Sequence, residues 1–281
     1  MDIFSEESVI RIAGVDQGNN LTIAATFDLF QDAALNHAEI LGVGREAMTQ
    51  NGQAWILSRI SVFMERRPQY GERVTVRTWP RSSNKLFAVR DFDIRGSGGG
   101  DVLVRGRSGW LIIDLEKHRP LRPEALVGTL PPNEGLNALP GINADSNDPP
   151  PPLTAREFGT EQPVPRRACY SDIDYNGHVN NARYIQWIQD LFDPEILITA
   201  KQIRLDVNYL SEVRYGETIS LVTTAVGGPY PGIKDLPKDA PEDNPLKGQI
   251  PQTCTAAFAV EGRRGNDSET VPVFRAELRT G

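Results

Sequence analysis

The sequence predicts an α+β protein made of one unit used twice. Three observations carry this. Fifteen of the 21 prolines gather in two stretches, nine from Pro120 to Pro152 and six from Pro229 to Pro251, and such density breaks helices and central strands alike. Either side of the first stretch the same order occurs, a segment of helical apolar spacing and then runs of strand character. Finally, Tyr70-Gly71-Glu72 precedes Val74-Thr75-Val76 just as Tyr215-Gly216-Glu217 precedes Ile219-Ser220-Leu221, an offset of 216 − 71 = 145 positions.

The elements follow in order. Phe27 to Val43 carries apolar residues at Phe27, Phe30, Ala34, Ala38 and Leu41, which is helical spacing. Strands are expected at 54–65, 72–80, 85–95 and 101–114. In the second half a helix is expected over His178 to Phe192, then strands at 201–213, 216–226, 252–262 and 270–279. One long helix against an antiparallel sheet, twice, is α+β. The expected organisation is an N-terminal domain at 1–125, a Pro-rich linker at 126–160 and a C-terminal domain at 161–281, the second Pro-rich stretch being a long inserted loop. At 281 residues two cores are the first expectation.

Composition narrows the function classes. With 39 % apolar and 24 % charged residues the chain is an ordinary folding sequence. A formal charge of −7 argues against nucleic acid as a partner. No apolar run reaches the length of a membrane span and the N-terminus lacks a signal-peptide pattern, so a cytoplasmic location is expected. Cys169 and Cys254 are too few for a disulfide framework or a zinc site. Residues 55–95 nevertheless hold nine basic and four acidic side chains. Alternation puts Arg73 and Arg77 on the face opposite Val74 and Val76, where they could steer an acidic partner.

The chemistry concentrates in Asp174-Tyr175-Asn176-Gly177-His178-Val179-Asn180-Asn181. Asn176-Gly177 marks a tight turn, because both residues tolerate positive φ. Asp174, Asn176 and His178 then sit at alternate positions leading into a buried helix. Backbone N–H groups of Val179 and Asn180 are candidates to hold an oxyanion, His178 and Asn176 to orient water or a carbonyl, and a carboxylate is still wanted as base. Each residue alone has an ordinary explanation as a cap or turn residue; the string together does not, since a turn needs neither the Asp nor the His.

The pattern D-x-N-x-H-V-N-N-x-x-Y-x-x-W from Asp174 to Trp187 closely resembles the signature of plant and bacterial acyl-acyl carrier protein thioesterases. Trp55-Ile56-Leu57-Ser58-Arg59, Pro68 and Gly71 before a strand ending Thr78-Trp79, and Trp110 resemble the first half of the same family. The resemblance implies a tandem hotdog fold, each unit a sheet wrapped around a long helix, with the acyl chain held by the N-terminal half and chemistry in the C-terminal half. It implies hydrolysis of fatty acyl-carrier protein thioesters in fatty acid biosynthesis, with acyl carrier protein (ACP) as partner and no cofactor or metal; homodimerisation is left open.

The resemblance also supplies a fourth catalytic position. The family's Glu-Tyr-x-x-Glu-Cys matches Asn208-Tyr209-Leu210-Ser211-Glu212-Val213, so Glu212 is retained and the family's cysteine is Val213. A cysteine nucleophile is thereby excluded at that position, and neither Cys169 nor Cys254 is placed to replace it. Glu212 or Asp174 is left as base or nucleophile. Strict alternation from Ile203 aims Glu212 away from the helix side, so a bulge near Leu210 is expected to re-aim it. Met48, Trp55, Leu57 and Phe87 are candidate acyl-pocket residues.

His37 and Glu39, on the first helix, have no partner string and read as catalytically silent. His118 lacks co-ligands for a metal. Gly96 to Gly100 is a hairpin connection, since no Lys and helix follow as a phosphate loop requires. Rival functions are an acyl-CoA thioesterase, a hotdog hydroxyacyl dehydratase and a non-catalytic acyl-binding protein.

Overall fold

The computed structural model describes residues 2–84, 86–123, 130–131, 133, 135–139, 148–158, 162–226, 256–266 and 269–281. The Pro229–Pro251 stretch and Cys254 lie outside them. Eleven strands form one continuous antiparallel sheet. The first half contributes β1 (Phe4–Val9), β2 (Gln53–Met64), β3 (Arg73–Ser83), β4 (Ala88–Gly96), β5 (Val102–Asp114) and the short β6 (Arg119–Leu121). The second contributes β7 (Val164–Arg167), β8 (Ile203–Tyr209), β9 (Thr218–Ala225), β10 (Ala256–Asn266) and β11 (Glu269–Thr280).

The spatial order β1-β3-β4-β5-β2 in the first half and β7-β9-β10-β11-β8 in the second is one topology used twice. β2 and β8 join the copies edge to edge, which removes two strand edges that would otherwise be free to aggregate. The register pairs Ser61 with Asp206, residues 145 apart, which is the offset of the Tyr-Gly-Glu echo. Equivalent positions therefore face each other across the seam, as an approximate two-fold axis requires.

Helix α1 (Ile23–Ile40) begins at Thr22, whose hydroxyl accepts from Ala25 N at 3.1 Å. It buries Phe27, Phe30, Ala33 and Ala34 on the sheet, where Phe30 stacks on Phe92 at 4.6 Å and lies over Gly106. A short α2 (Arg45–Gln50) follows. In the second half α3 (Asn181–Gln189) is shorter than periodicity predicts. Asp193 caps a new helix, α4 (Pro194–Ile198), and Pro194 cannot continue the old one. His178 to Asn180 are extended instead of helical.

Two separate cores do not form: α1 packs against α3, and one buried cluster runs from Phe27 and Phe30 to Tyr184, Ile188 and Phe274. The described linker residues are not a loose tether. Pro150 O accepts from Arg59 at 3.2 Å, Leu153 N donates to Asn208 Oδ1 at 2.6 Å, and Arg156 pairs with Glu277 at 2.5 Å. Ala138 N donates at 3.0 Å to Asp91, whose carboxylate also holds the fully buried Arg107. These contacts cover the sheet face opposite the helices, so polar residues there are buried. Among the described residues no helix is long and apolar enough to cross a membrane.

Candidate active site

The Asp174–Asn181 string folds as a miniature hairpin. Asp174 N donates to His178 O at 2.9 Å, Gly177 N to Asp174 O at 3.0 Å, and Ile173 bridges Val179. Gly177 sits at φ +82°, the left-handed region that the turn requires. Asp174 Oδ1 accepts from Asn176 N at 2.8 Å, an Asx turn that fixes both side chains.

Two backbone candidates are corrected. Val179 N–H donates to Val213 O at 2.8 Å and Asn180 N–H to Asp172 O at 2.9 Å, so neither is free for an oxyanion. The hairpin needs them to dock on the chain after β8. The Asn180 side chain caps α3 by accepting from Ala182 N at 2.8 Å, and the first helical N–H without a partner among the described residues is that of Asn181.

Glu212 reaches the string from the end of β8. Leu210 N and Ser211 N both donate to Val273 O, at 2.9 and 3.0 Å. Two residues opposing one is the bulge expected near Leu210, and beyond it Glu212 Oε2 lies 3.0 Å from His178 Nε2. The side chains of Glu212 and His178 are 51 % and 24 % exposed, so the pair meets solvent. Val213 is fully buried.

Beside this pair lies a cavity of about 560 Å³. The β2·β8 pairing stops at Arg59 and Asn208; beyond it the bulge at Ser58 and the one at Leu210 part the strands. Asp174, Asn176, His178, Asn181 and Glu212 line one side, and Met48, Trp55 and Leu57, three of the four predicted acyl-pocket residues, line the other. Phe87 does not line it; its ring lies under the Arg59 guanidinium at 4.8 Å. Tyr184 and Tyr209 also line it, and burial pushes both hydroxyls well above their usual range, leaving them neutral donors.

Arg73 is exposed, whereas Arg77 pairs with Asp93 at 2.5 Å, and neither lines the cavity. Arg45, which sequence reasoning did not single out, does line it and stacks over the Tyr175 ring at 4.1 Å. Among the described residues no group of three or more His, Cys, Asp or Glu is placed to hold a metal ion.

The first half carries the same hairpin without the chemistry. Asp16 N donates to Asn20 O at 2.9 Å, Leu21 N to Pro68 O at 2.7 Å and Thr22 N to Gly14 O at 2.9 Å. Asn20 bridges Gln69 as His178 bridges Arg214. Asn20 thus stands at the place of His178 and Arg67 at that of Glu212. Sequence reasoning compared the string with His37 and missed this copy, whose only shared chemical residue is Asp16.

Comparison with known proteins decides the family. Residues 1–125 match the model of the acyl-ACP thioesterase N-terminal domain and residues 158–267 that of its C-terminal domain. The chain belongs to the acyl-ACP thioesterase family. It is 29 % identical over 231 residues to a chloroplastic palmitoyl-acyl carrier protein thioesterase of Gossypium hirsutum, covering 79 % of this chain and 55 % of the relative. To the oleoyl-acyl carrier protein thioesterase 1 of Arabidopsis thaliana it is 27 % identical over 241 residues, 80 % and 65 % of the two chains. The chain therefore spans only about half to two thirds of these relatives' length. A solved acyl-ACP thioesterase from Bacteroides thetaiotaomicron superposes with a TM-score of 0.71 at 25 % identity, covering 100 % and 98 % of the two chains. The 12:0-ACP thioesterase of Umbellularia californica shares the fold, with a TM-score of 0.74 at 21 % identity and 99 % and 93 % coverage. The fold of this family is the double hotdog, and the doubled topology above is that fold.

Proposed function

We propose that the chain hydrolyses the thioester of fatty acyl-ACP to free fatty acid and carrier protein, without a cysteine nucleophile. The observation that carries this reading is the 3.0 Å His178–Glu212 contact at a cleft of about 560 Å³ that Met48, Trp55 and Leu57 also line. The acyl chain lies along Met48, Trp55 and Leu57, and the thioester carbonyl sits at the Asp174–His178 hairpin. Glu212, half exposed and therefore reached by water, takes a proton as the water attacks; His178 orients it, Asp174 holds Asn176 in place, and collapse of the tetrahedral adduct breaks the C–S bond as the proton passes from Glu212 to the leaving thiolate of the carrier. Negative charge on the tetrahedral oxygen is met by the Asn176 side-chain amide and the Asn181 N–H at the positive end of α3.

The carrier is read as an acidic protein. Arg45 at the cavity wall suits the phosphate of its pantetheine arm, and Arg73 is the better placed of the two surface arginines to meet its acidic face. The exposed thiol of Cys169 suits a reducing, cytosolic setting, and release of a fatty acid from its carrier is a step of fatty acid biosynthesis. A hydrolysis panel of ACP and CoA esters over a range of chain lengths tests the reading. Folded protein that leaves every ACP ester intact refutes it, and equal turnover of CoA esters refutes the carrier assignment.

A further inference from the structure

The loop that carries Glu212 occurs twice in the fold and is tied down differently in each half. In the second half Leu210 N and Ser211 N both donate to Val273 O. In the first half Glu65 N and Arg66 N, 145 positions earlier, both donate to Leu103 O, at 2.9 and 3.1 Å. The turn that follows also repeats: Arg214 N donates to Glu217 Oε2 at 2.6 Å, and Gln69 N to Glu72 Oε2 at 3.0 Å. The two-on-one bulge therefore belongs to the fold and does not depend on a carboxylate at position 212.

What differs is the cation that pairs with the glutamate of the turn. In the first half it is Arg66, from the loop itself, which donates from Nη1 to Glu72 Oε2 at 2.9 Å. That pair closes the loop on itself. Ser211 stands at the matching place in the second half, and the cation comes from the sheet instead. Arg264, near the end of β10, donates from Nη2 to Glu217 Oε2 at 3.2 Å and to the Glu212 carbonyl oxygen, and from Nη1 to Ser211 Oγ at 3.3 Å. Strand register identifies its counterpart. Thr75 pairs with Arg95 and Val74 with Gly96, while Ser220, 145 positions after Thr75, pairs with Arg263. Arg264 thus stands where the first half has Gly96, which has no side chain to reach its loop.

One guanidinium accordingly holds Ser211, Glu212 and Glu217 at once. On the other side the same backbone is fixed by Val179 N–H, which donates to Val213 O at 2.8 Å, and by the bridge of His178 with Arg214. The ion-paired side chains of Arg264 and Glu217 are 38 % and 39 % exposed, so their pairing contributes little to folding. Its consequence lies in geometry. Glu212 is half exposed, and its carboxylate keeps its 3.0 Å contact with His178 only while the backbone beneath it stays in place. A shift of roughly 1 Å at a reacting group can cost on the order of 10² in rate. The first half, with Arg67 at the place of Glu212, has no base to aim and no arginine at position 96.

We propose that Arg264 is a positioning residue: it fixes the Ser211–Glu212 backbone to β10 and so holds the Glu212 carboxylate at His178. The proposal rests on the reading of Glu212 as the base and adds the residue that aims it.

Arg264→Met keeps the stem and removes all three bonds. It is expected to lower kcat for acyl-ACP hydrolysis about ten- to a hundredfold with KM within about threefold, since Met48, Trp55 and Leu57 are untouched. Arg264→Lys, whose ammonium lacks the fork, falls between. In Glu212→Gln protein no base is left to aim, so adding Arg264→Met is expected to lower kcat less than about threefold further. A general structural role would instead multiply the two losses, and that product overturns the proposal. Wild-type kcat in Arg264→Met, with Glu212→Gln slow, overturns it too and leaves the base reading standing. Wild-type kcat in Glu212→Gln refutes the base reading and the proposal with it. Arg264→Lys carries the same comparison in both backgrounds if the Met variant does not fold.

Discussion

Replacing Glu212 with Gln separates catalysis from stability because of where the carboxylate sits. Its side chain is 51 % exposed and touches a His178 that is 24 % exposed, so the pair is a surface contact worth between 0 and about 1 kcal/mol to folding. For a domain somewhat above 250 residues that corresponds to a Tm change of roughly 4 °C at most. A lost general base costs about 10²–10⁴ in rate, or roughly 3–5 kcal/mol of barrier. The amide keeps the size and the hydrogen bond to His178 but cannot take a proton. Thiol release from an acyl-ACP substrate should therefore fall by two to four decades while the melting curve hardly moves. Activity within about threefold of wild type would remove Glu212 from the mechanism. A hydroxylamine-trapped acyl group on wild-type Glu212 would convert it from base to nucleophile.

Three further outcomes follow from the packing. Asp91→Ala leaves the fully buried Arg107 without its carboxylate and frees Ala138 N, at a cost of about 3–5 kcal/mol, and should lower Tm by on the order of 10 °C in a thermal melt. Arg67→Met removes the bond to Asp16 at 2.8 Å and those to Ile198 O and Ala200 O at 3.0 and 3.3 Å, which tie the halves together. It should cost about 2–4 kcal/mol in denaturant titration and lower the kcat/KM of the folded fraction, because the two halves lose a tie that sets the spacing of the other cleft. Gly106→Ala places a Cβ 2.5 Å from the Phe30 ring, itself held by Phe92, and should cost about 1–3 kcal/mol; an unchanged melt would show that Phe30 can yield.

The sequence made the long strands and α1 legible because each buries one face and shows its period. It did not reveal β1 and β7, edge strands of 6 and 4 residues whose apolar content is too small to alternate. The helix expected from His178 to Phe192 spans only Asn181–Gln189, because the hairpin holds His178 to Asn180 extended and the chain turns after Gln189 towards the new helix that Asp193 caps. Asp174, Asn176 and His178 stood out as an unusual polar string. The Val179 and Asn180 N–H groups were read as free because their acceptors, Val213 O and Asp172 O, come from the tertiary fold. Glu212 came from family resemblance. The bulge that aims it depends on Val273, a strand partner no local pattern names.

The doubled fold shows why the proposed site occupies one of two related clefts while the other is structural. A two-fold arrangement of hotdog units offers two clefts, each walled by the short helix of one half and the polar hairpin of the other. In the proposed catalytic cleft, α2 of the first half faces the His178 hairpin of the second. In the other, of about 430 Å³, α4 and Ile203 of the second half face Asp16 and Arg67 of the first. Asn20 cannot accept a second proton, and a guanidinium at the base position can neither take a proton from water nor attack a carbonyl. What it can do is bond outward. Arg67, 7 % exposed, spends its donors on Asp16 and on two carbonyls at the end of α4, so the silent cleft fixes the two halves against each other. On the proposed mechanism the other cleft depends on that fixity, because Met48, Trp55 and Leu57 and the polar hairpin come from different halves and must keep their spacing for a bound thioester to meet Glu212.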